Sequence, residues 1–162
     1  NLKLPLRILG IDPGTSLIGY GIIDVAGKNY TAIDYGDFKT GINIRNADRV
    51  FDVYNFFDKL IKKFKPDKMA IESLFFFKNA KTVIKVSEIR GVLMYVAAKN
   101  GTEIVEFTPL QVKQAVSGYG RAEKAQVQKM VKLILGLGTV PKPDDTADAL
   151  AIAICCANTV VY

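Results

Sequence analysis

Four acidic residues from distant segments of the chain stand in apolar surroundings. Asp12 and Glu72 each end a short apolar run, whereas Asp145 and Asp148 open an apolar stretch towards the C-terminus. A carboxylate in such a place is costly unless a positive partner or a metal meets it. Oxygen ligands of this kind suit a hard divalent cation, whose commonest use in hydrolysis is at phosphodiesters.

The chain contains no histidine. Ser-His-Asp and Cys-His nucleophiles, histidine zinc sites and histidine general bases are therefore excluded. Carboxylate, lysine and metal chemistry remain, and they agree with an all-oxygen metal site.

Each acidic residue also has a structural explanation. Asp12 precedes Pro13-Gly14, a common turn signal, and acids in a first helical turn favour the helix dipole. The dipole is enough to account for Asp144, which we expect to cap the last helix. Asp145 and Asp148, three residues apart, share one face of that helix. Glu72 has the weakest structural explanation, because the end of a central strand has little need of a charge.

Composition indicates one domain over residues 1–162 and an anionic partner. The chain is 49% hydrophobic and 23% charged, as in ordinary globular proteins. Its net charge of +6 favours nucleic acid, although solubility alone would also explain it. Adjacent Cys155 and Cys156 predict reduced thiols. With no signal peptide and no apolar run long enough to span a membrane, we expect a cytoplasmic protein.

The order of elements predicts an α/β fold. Three strands with short links form an antiparallel meander, and two later strands follow helical crossovers. The result is a five-stranded mixed sheet with helices on both faces. The strands are predicted over 7–12, 17–25, 30–38, 69–73 and 103–107, and the main helices over 46–65, 80–99 and 123–135, with further helices from Pro109 and Pro143.

Several blocks of sequence together resemble the RuvC family of Holliday junction resolvases, within the RNase H-like nuclease superfamily. The resemblance runs from about Arg7 to Asn158, nearly the whole chain. The blocks that carry it are Ile8–Gly14, Gly19–Gly21, Ala70–Glu72 with Phe75, Lys78–Ala80, Gln111–Gln114, Ala122–Lys124 and Ala147–Ala153.

The resemblance implies an RNase H-like fold and a structure-selective endonuclease of recombination and DNA repair. Its catalytic, metal-binding carboxylates would be Asp12, Glu72, Asp145 and Asp148. Two Mg²⁺ ions per site are expected, for which Mn²⁺ can substitute. Family members are homodimers that nick two strands of like polarity in four-way DNA junctions, beside the RuvA–RuvB branch-migration complex.

Basic side chains near this site are candidates for DNA contacts. Lys124 follows a glycine-containing turn that includes Arg121, and both could approach phosphate oxygens. Lys113 could act similarly, and Lys124 is the one we expect to take part in catalysis. A solvated helix face is the alternative explanation for the two lysines.

The aromatic run Phe75-Phe76-Phe77 follows Glu72 closely. Next to a nuclease site, an exposed Phe75, or failing that Phe77, could stack on an unpaired base, with Lys78 on a phosphate. Alternatively, two of the rings pack inward and the third is incidental.

The helix over 80–99 has apolar residues on more than one side. One stripe would cover the sheet, and the surplus, beside Gly91, could form an isologous dimer interface centred on Val92 and Val96.

Two other functions fit parts of the chain. Gly10–Ser16 resembles the first phosphate loop of actin- and hexokinase-like ATPases, but a second such loop and a second domain are missing. A catalytically silent junction-binding protein would share the fold, and the intact carboxylates argue against it.

Overall fold

The computed structural model describes residues 5–74 and 79–160, which form a five-stranded mixed sheet. The strands are β1 (Leu6–Asp12), β2 (Leu17–Ala26), β3 (Asn29–Lys39), β4 (Lys68–Glu72) and β5 (Glu103–Phe107). Their order across the sheet is β3-β2-β1-β4-β5. The first three strands are antiparallel neighbours, whereas β4 runs parallel to both β1 and β5. The predicted meander followed by crossover strands is confirmed.

Five helices are found in the described residues, and local sequence explains where they begin and end. They are α1 (Asn46–Phe64), α2 (Ala80–Lys99), α3 (Pro109–Ser117), α4 (Lys124–Ile134) and α5 (Asp144–Val160). The Thr108 side chain accepts from the Gln111 amide and Gln111 reaches back to Thr108, so α3 has the capping box that the sequence predicted. Asp144 is the first residue of α5 and not its cap, which corrects the role expected for it.

Helices cover both faces of the sheet and enclose two separate cores. Successive residues of a strand point to opposite faces, so Ile8 packs with α5 while Leu9 packs with α1 and α2. Both side chains are fully buried. By the same alternation, Asp12 and Glu72 belong to the face that α5 covers, as do Ile8 and Ala70.

Glycines allow α5 to lie very close to the sheet. A Cβ placed on Gly10 would come within 2.0 Å of the Ala149 carbonyl oxygen, and one on Gly19 within 2.0 Å of the Asp145 carbonyl oxygen. Any side chain at these positions would push the helix away. This contact sets the height of the first turn of α5 above β1 and β2.

The remaining predictions concern the two cysteines, membrane-spanning helices, cellular location and the number of domains. Cys155 and Cys156 are unpaired and buried, and burial raises the pKa of the Cys155 thiol to about 12, as expected for unreactive core residues. Among residues 5–74 and 79–160, no helix is long and apolar enough to cross a membrane. The cytoplasmic location and the single domain over 1–162 stay predictions.

Candidate active site

Asp12 and Glu72 meet at the ends of two adjacent parallel strands. The register pairs Ile11 of β1 with Ile71 of β4, so the next residues along are the two acids. Both strands end there, and both side chains face α5. The alternation of side chains along each strand and the register between the strands together bring these carboxylates to one edge of the sheet.

The second pair of acids reaches the same place from α5. Asp12 pairs across the antiparallel β1–β2 ladder with Gly19, and the missing Cβ of Gly19 makes room for the backbone of Asp145. Asp145 is close enough to Asp12 for its charge to raise the pKa of Asp12. Asp148 is close enough to act electrostatically on both Asp12 and Glu72. The structure therefore brings all four predicted carboxylates together.

Crowding of these acids shows in their pKa values. Burial raises the pKa of Asp12 from 3.8 to about 8, and the charges of Asp148 and Asp145 add to the shift. Burial likewise raises the pKa of Glu72, with a contribution from Asp148 that Lys113 and Arg90 oppose. The pKa of Asp148 is also raised, first by burial. Such a cluster favours binding of protons or cations.

Lys124 lies at the rim of the acidic cluster. Its Nζ is 3.3 Å from Asp148 Oδ2 and 3.5 Å from Asp144 Oδ2. Burial acts to lower the pKa of Lys124, but Asp148 and Asp144 outweigh it and the pKa is raised, so the ammonium stays charged. Asp144 also binds Lys142 at 2.9 Å. Asp144 is therefore a partner of the lysines rather than only a helix-terminal charge.

A pocket of about 230 Å³ opens beside the cluster. Glu72, Asp148, Lys113 and Lys124 supply its charged walls, and α3, α4 and α5 supply an apolar floor. Two carboxylates facing two lysines suit a phosphate group that arrives with cations. The structure thus places Lys113 and Lys124 beside the acids.

Four other predicted contacts are not placed here. Arg121 is exposed in the turn before α4 and is absent from the pocket lining formed by the described residues. Phe75, Phe77 and Lys78 lie outside the described residues. Their predicted roles stay predictions.

The donor set is chemically suited to hard divalent cations, since it consists of carboxylate oxygens. In the part of the chain that the structure describes, however, no group of three or more acidic, histidine or cysteine side chains is arranged to hold a metal ion. Asp148 already has a cationic partner, because Lys124 Nζ lies 3.3 Å from its Oδ2.

One residue that contacts the site was missed by sequence reasoning. Arg90 of α2 is only 6% exposed, and it donates to the carbonyl oxygen of Glu72 and to Glu106 Oε2. A basic residue between apolar Ile89 and Gly91 was the available signal. The apolar periodicity of α2 does not identify Arg90, because it takes account of apolar residues only.

Comparisons with known proteins show which family the chain resembles. The family model described as crossover junction endodeoxyribonuclease RuvC matches residues 8–156. The RuvC of Ruminiclostridium cellulolyticum is 54% identical over 152 residues, covering 94% of this chain and 92% of that protein. The RuvC of Fusobacterium nucleatum is 50% identical over 155 residues, covering 96% of this chain and 82% of that protein.

Solved structures show the same similarity. Thermus thermophilus RuvC in complex with a Holliday junction substrate superposes with a TM-score of 0.93 at 32% identity, covering 96% of this chain and 95% of that one. Another Thermus thermophilus RuvC structure gives a TM-score of 0.88 at 33% identity, covering 94% of each chain.

Proposed function

The chain belongs to the RuvC family of crossover junction endodeoxyribonucleases, and from that premise we propose how its residues carry out the reaction. The protein is a nuclease that resolves Holliday junctions in recombination and DNA repair, as the sequence predicted. The family is metal-dependent. The roles of single residues, the identity of the metal and the pairing of the cuts belong to the proposal.

The carboxylates Asp12, Glu72, Asp145 and Asp148 would hold two Mg²⁺ ions, or Mn²⁺ in their place. When bound, the ions supply positive charge that makes a water nucleophilic and stabilises the leaving 3′-oxygen. Hydrolysis joins the water oxygen to phosphorus and releases the 3′-hydroxyl. The observation that carries this assignment is the convergence of three acids, Glu72, Asp145 and Asp148, on Asp12, whose pKa of about 8 marks a site in need of positive charge.

Lys124 and Lys113 would hold the scissile phosphate. Both line the pocket that contains Glu72 and Asp148, and Lys124 is already 3.3 Å from Asp148. The ammonium of Lys124 would contact a phosphate oxygen at the edge of this pocket. Arg121, Phe75, Phe77 and Lys78 complete the proposed DNA surface, with a phenylalanine ring stacking on an unpaired base.

A homodimer would supply two such sites, and α1 and α2 offer the surface for it. An apolar groove of about 660 Å³ between these helices is lined by Val50, Phe51, Gly91, Val92 and Tyr95 among others. Phe51 and Tyr95 are 62% and 61% exposed. Val96, in contrast, is fully buried in the core, so its predicted place at the centre of the interface was wrong.

Family membership decides against the actin- or hexokinase-like ATPase. The RuvA–RuvB branch-migration complex enters the proposal as a partner through family resemblance alone. The nuclease relatives and the four converging carboxylates also argue against a catalytically silent junction binder.

Cleavage of a synthetic four-way junction, beside linear duplex of the same sequence, tests the proposal. Mg²⁺ should allow symmetric nicks in the junction and not in the duplex, and EDTA should abolish them while leaving binding intact. Replacing any of the four carboxylates by its amide should reduce nicking by at least ~10²-fold, the scale of one lost electrostatic element. Asp52→Asn, an exposed aspartate of α1, is the control. Junction binding without Mg²⁺-dependent nicks would identify a silent binder.

A further inference from the structure

Arg90 is a buried cation on a helix that otherwise packs through apolar residues. It is 6% exposed and stands between Ile89, fully enclosed in the core, and Gly91 of the groove between α1 and α2. Burying a guanidinium is unfavourable unless its donors are met, and replacing such a group by apolar residues is often neutral or stabilising. Stability alone is therefore a weak explanation for Arg90.

The guanidinium joins three elements at the end of the sheet. One terminal nitrogen donates to the carbonyl oxygen of Glu72, the last residue of β4. The other donates to Glu106 Oε2 of β5 at 2.8 Å. Because Glu106 pairs in register with Ile71, the residue before Glu72, the two bonds fix the end of β4 from α2 and from β5 together.

The bond to the carbonyl matters because of which residue carries it. The Glu72 carboxylate faces Asp148 and Lys113, while its own backbone leads directly into Ser73, Leu74 and the predicted DNA-contacting segment. A ligand whose main chain shifts by a fraction of an ångström loses its place in a metal site. Both hydrogen bonds of Arg90 go to the Glu72 carbonyl and to Glu106, so apart from its charge, which lowers the pKa of Glu72, Arg90 acts on the Glu72 carboxylate through the main chain.

We propose that Arg90 is a positioning residue that holds Glu72 in place for divalent-cation binding and links the metal site to the helix bearing the α1–α2 groove. This inference rests on the proposed function, in which Glu72 is a metal ligand. It predicts that weakening the two hydrogen bonds of Arg90, to the Glu72 carbonyl and to Glu106, lowers metal affinity while the carboxylates and the basic surface stay intact.

Arg7 offers a matched control within the same chain. It also binds a carboxylate and a backbone carbonyl together: Nε and one terminal nitrogen reach Asp24 at 2.7 and 2.8 Å, and the other donates to the Phe64 carbonyl at 2.9 Å. It stands near the start of β1, at the opposite end of the strand from Asp12. Replacing Arg7 shows how much stability is lost when an arginine of this kind, bound to a carboxylate and a carbonyl, is removed far from the acidic cluster.

The experiment compares Arg90→Lys with Arg7→Lys in the full chain. Lysine keeps the charge but cannot form both planar hydrogen bonds. Mg²⁺ alone is titrated by calorimetry, and junction binding in EDTA, melting temperature and nicking against Mg²⁺ concentration are measured beside it. Both variants should lose some thermal stability and keep junction binding. Only Arg90→Lys should weaken Mg²⁺ binding, by ~10–100-fold as for other outer ligand contacts, with nicking largely recovered at saturating Mg²⁺.

Glu106→Gln keeps the inference testable if Arg90→Lys does not fold. It leaves Arg90 in place and retains an acceptor, so a smaller loss of Mg²⁺ affinity in the same direction is expected. Unchanged Mg²⁺ affinity in the folded variants, or an equal loss in Arg7→Lys, would overturn the role of Arg90. If the wild type neither binds Mg²⁺ nor nicks junctions, the proposed function fails instead.

Discussion

Asp12 is held where its charge is least favourable, because it is buried and faces other acids. Its pKa is about 8 in the folded protein against an ordinary 3.8. The folded metal-free protein therefore binds a proton that the unfolded chain has already released across that range. The stability that this proton binding gives the folded state is present in full below pH 3.8, the ordinary pKa, and is lost as pH rises through about 8, the pKa in the folded protein.

Asp12→Asn should remove this pH dependence and the catalytic activity together. Asparagine is neutral at every pH, so in EDTA the variant should melt at a higher temperature than wild type under mildly alkaline conditions. The difference should shrink towards acid pH. Thermal melts across the pH range, with Asp52→Asn as control, measure it. Equal alkaline melting temperatures of Asp12→Asn and wild type would show that Asp12 is not crowded by the other acids.

A comparison of Lys124 with Lys142 separates a specific role of Lys124 in catalysis from the effect of any lysine near Asp144. Both bind Asp144, but only Lys124 also contacts Asp148, at 3.3 Å. Lys124→Ala should lower the single-turnover nicking rate by ~10²-fold or more, the effect of one preorganised charge, and change junction affinity far less. Lys142→Ala should leave the rate near wild type. A Lys124 effect confined to affinity would make it a binding contact only.

The position of α5 is what turns separate acids into a site, and it depends on glycine. A methyl group on Gly19 would meet the Asp145 backbone at 2.0 Å, so Gly19→Ala should lift the first turn of α5 away from Asp12. We expect a stability loss of ~1–3 kcal/mol, typical of overpacking, and weaker Mg²⁺ binding. Calorimetry with Mg²⁺ and denaturant unfolding measure the two effects. Gly138→Ala is the control, because a Cβ there would meet nothing within 4 Å; matching behaviour of the two variants would contradict the close approach.

Strand ends were predictable from sequence, whereas the contacts between elements were not. The apolar runs before Asp12 and Glu72 indicated two central strands, and alternation along a strand places both acids on one face. The depth at which α5 packs over Gly19, and the reach of Arg90 from α2 to the end of β4, depend on three-dimensional packing. Periodicity identifies an apolar face of α2 but does not say which residue is covered, so Val96 was assigned to the wrong surface.

The whole molecule carries a net charge of +6 and should bind junctions with a strong dependence on salt. Log affinity should fall linearly with log salt concentration, with a slope of ~0.9 for each duplex phosphate that is neutralised. Gel shifts over a salt series in EDTA measure the slope. Lys113→Ala should reduce the slope by ~0.9, the value for one phosphate contact. A slope identical to that of wild type would remove Lys113 from the DNA surface.

In the proposed mechanism paired cutting depends on dimerisation, because resolving a junction to two intact duplexes takes two symmetric nicks. An isologous homodimer supplies two related sites within one binding event. Tyr95 lines the groove between α1 and α2 and is 61% exposed, so Tyr95→Glu should disrupt the interface without disturbing the core. Sedimentation should then show a folded monomer.

On a plasmid cruciform, this monomer should produce open circles from single nicks, whereas wild type should produce linear molecules from paired nicks. Leu133→Glu on α4 is the matched control: Leu133 is equally exposed at 61% but lies away from the groove, and the variant should stay dimeric and cut in pairs. Linear product released within one binding event by a verified Tyr95→Glu monomer would contradict the coupling of dimerisation to paired cutting. A Tyr95→Glu protein that remains dimeric would place the interface elsewhere on the molecule.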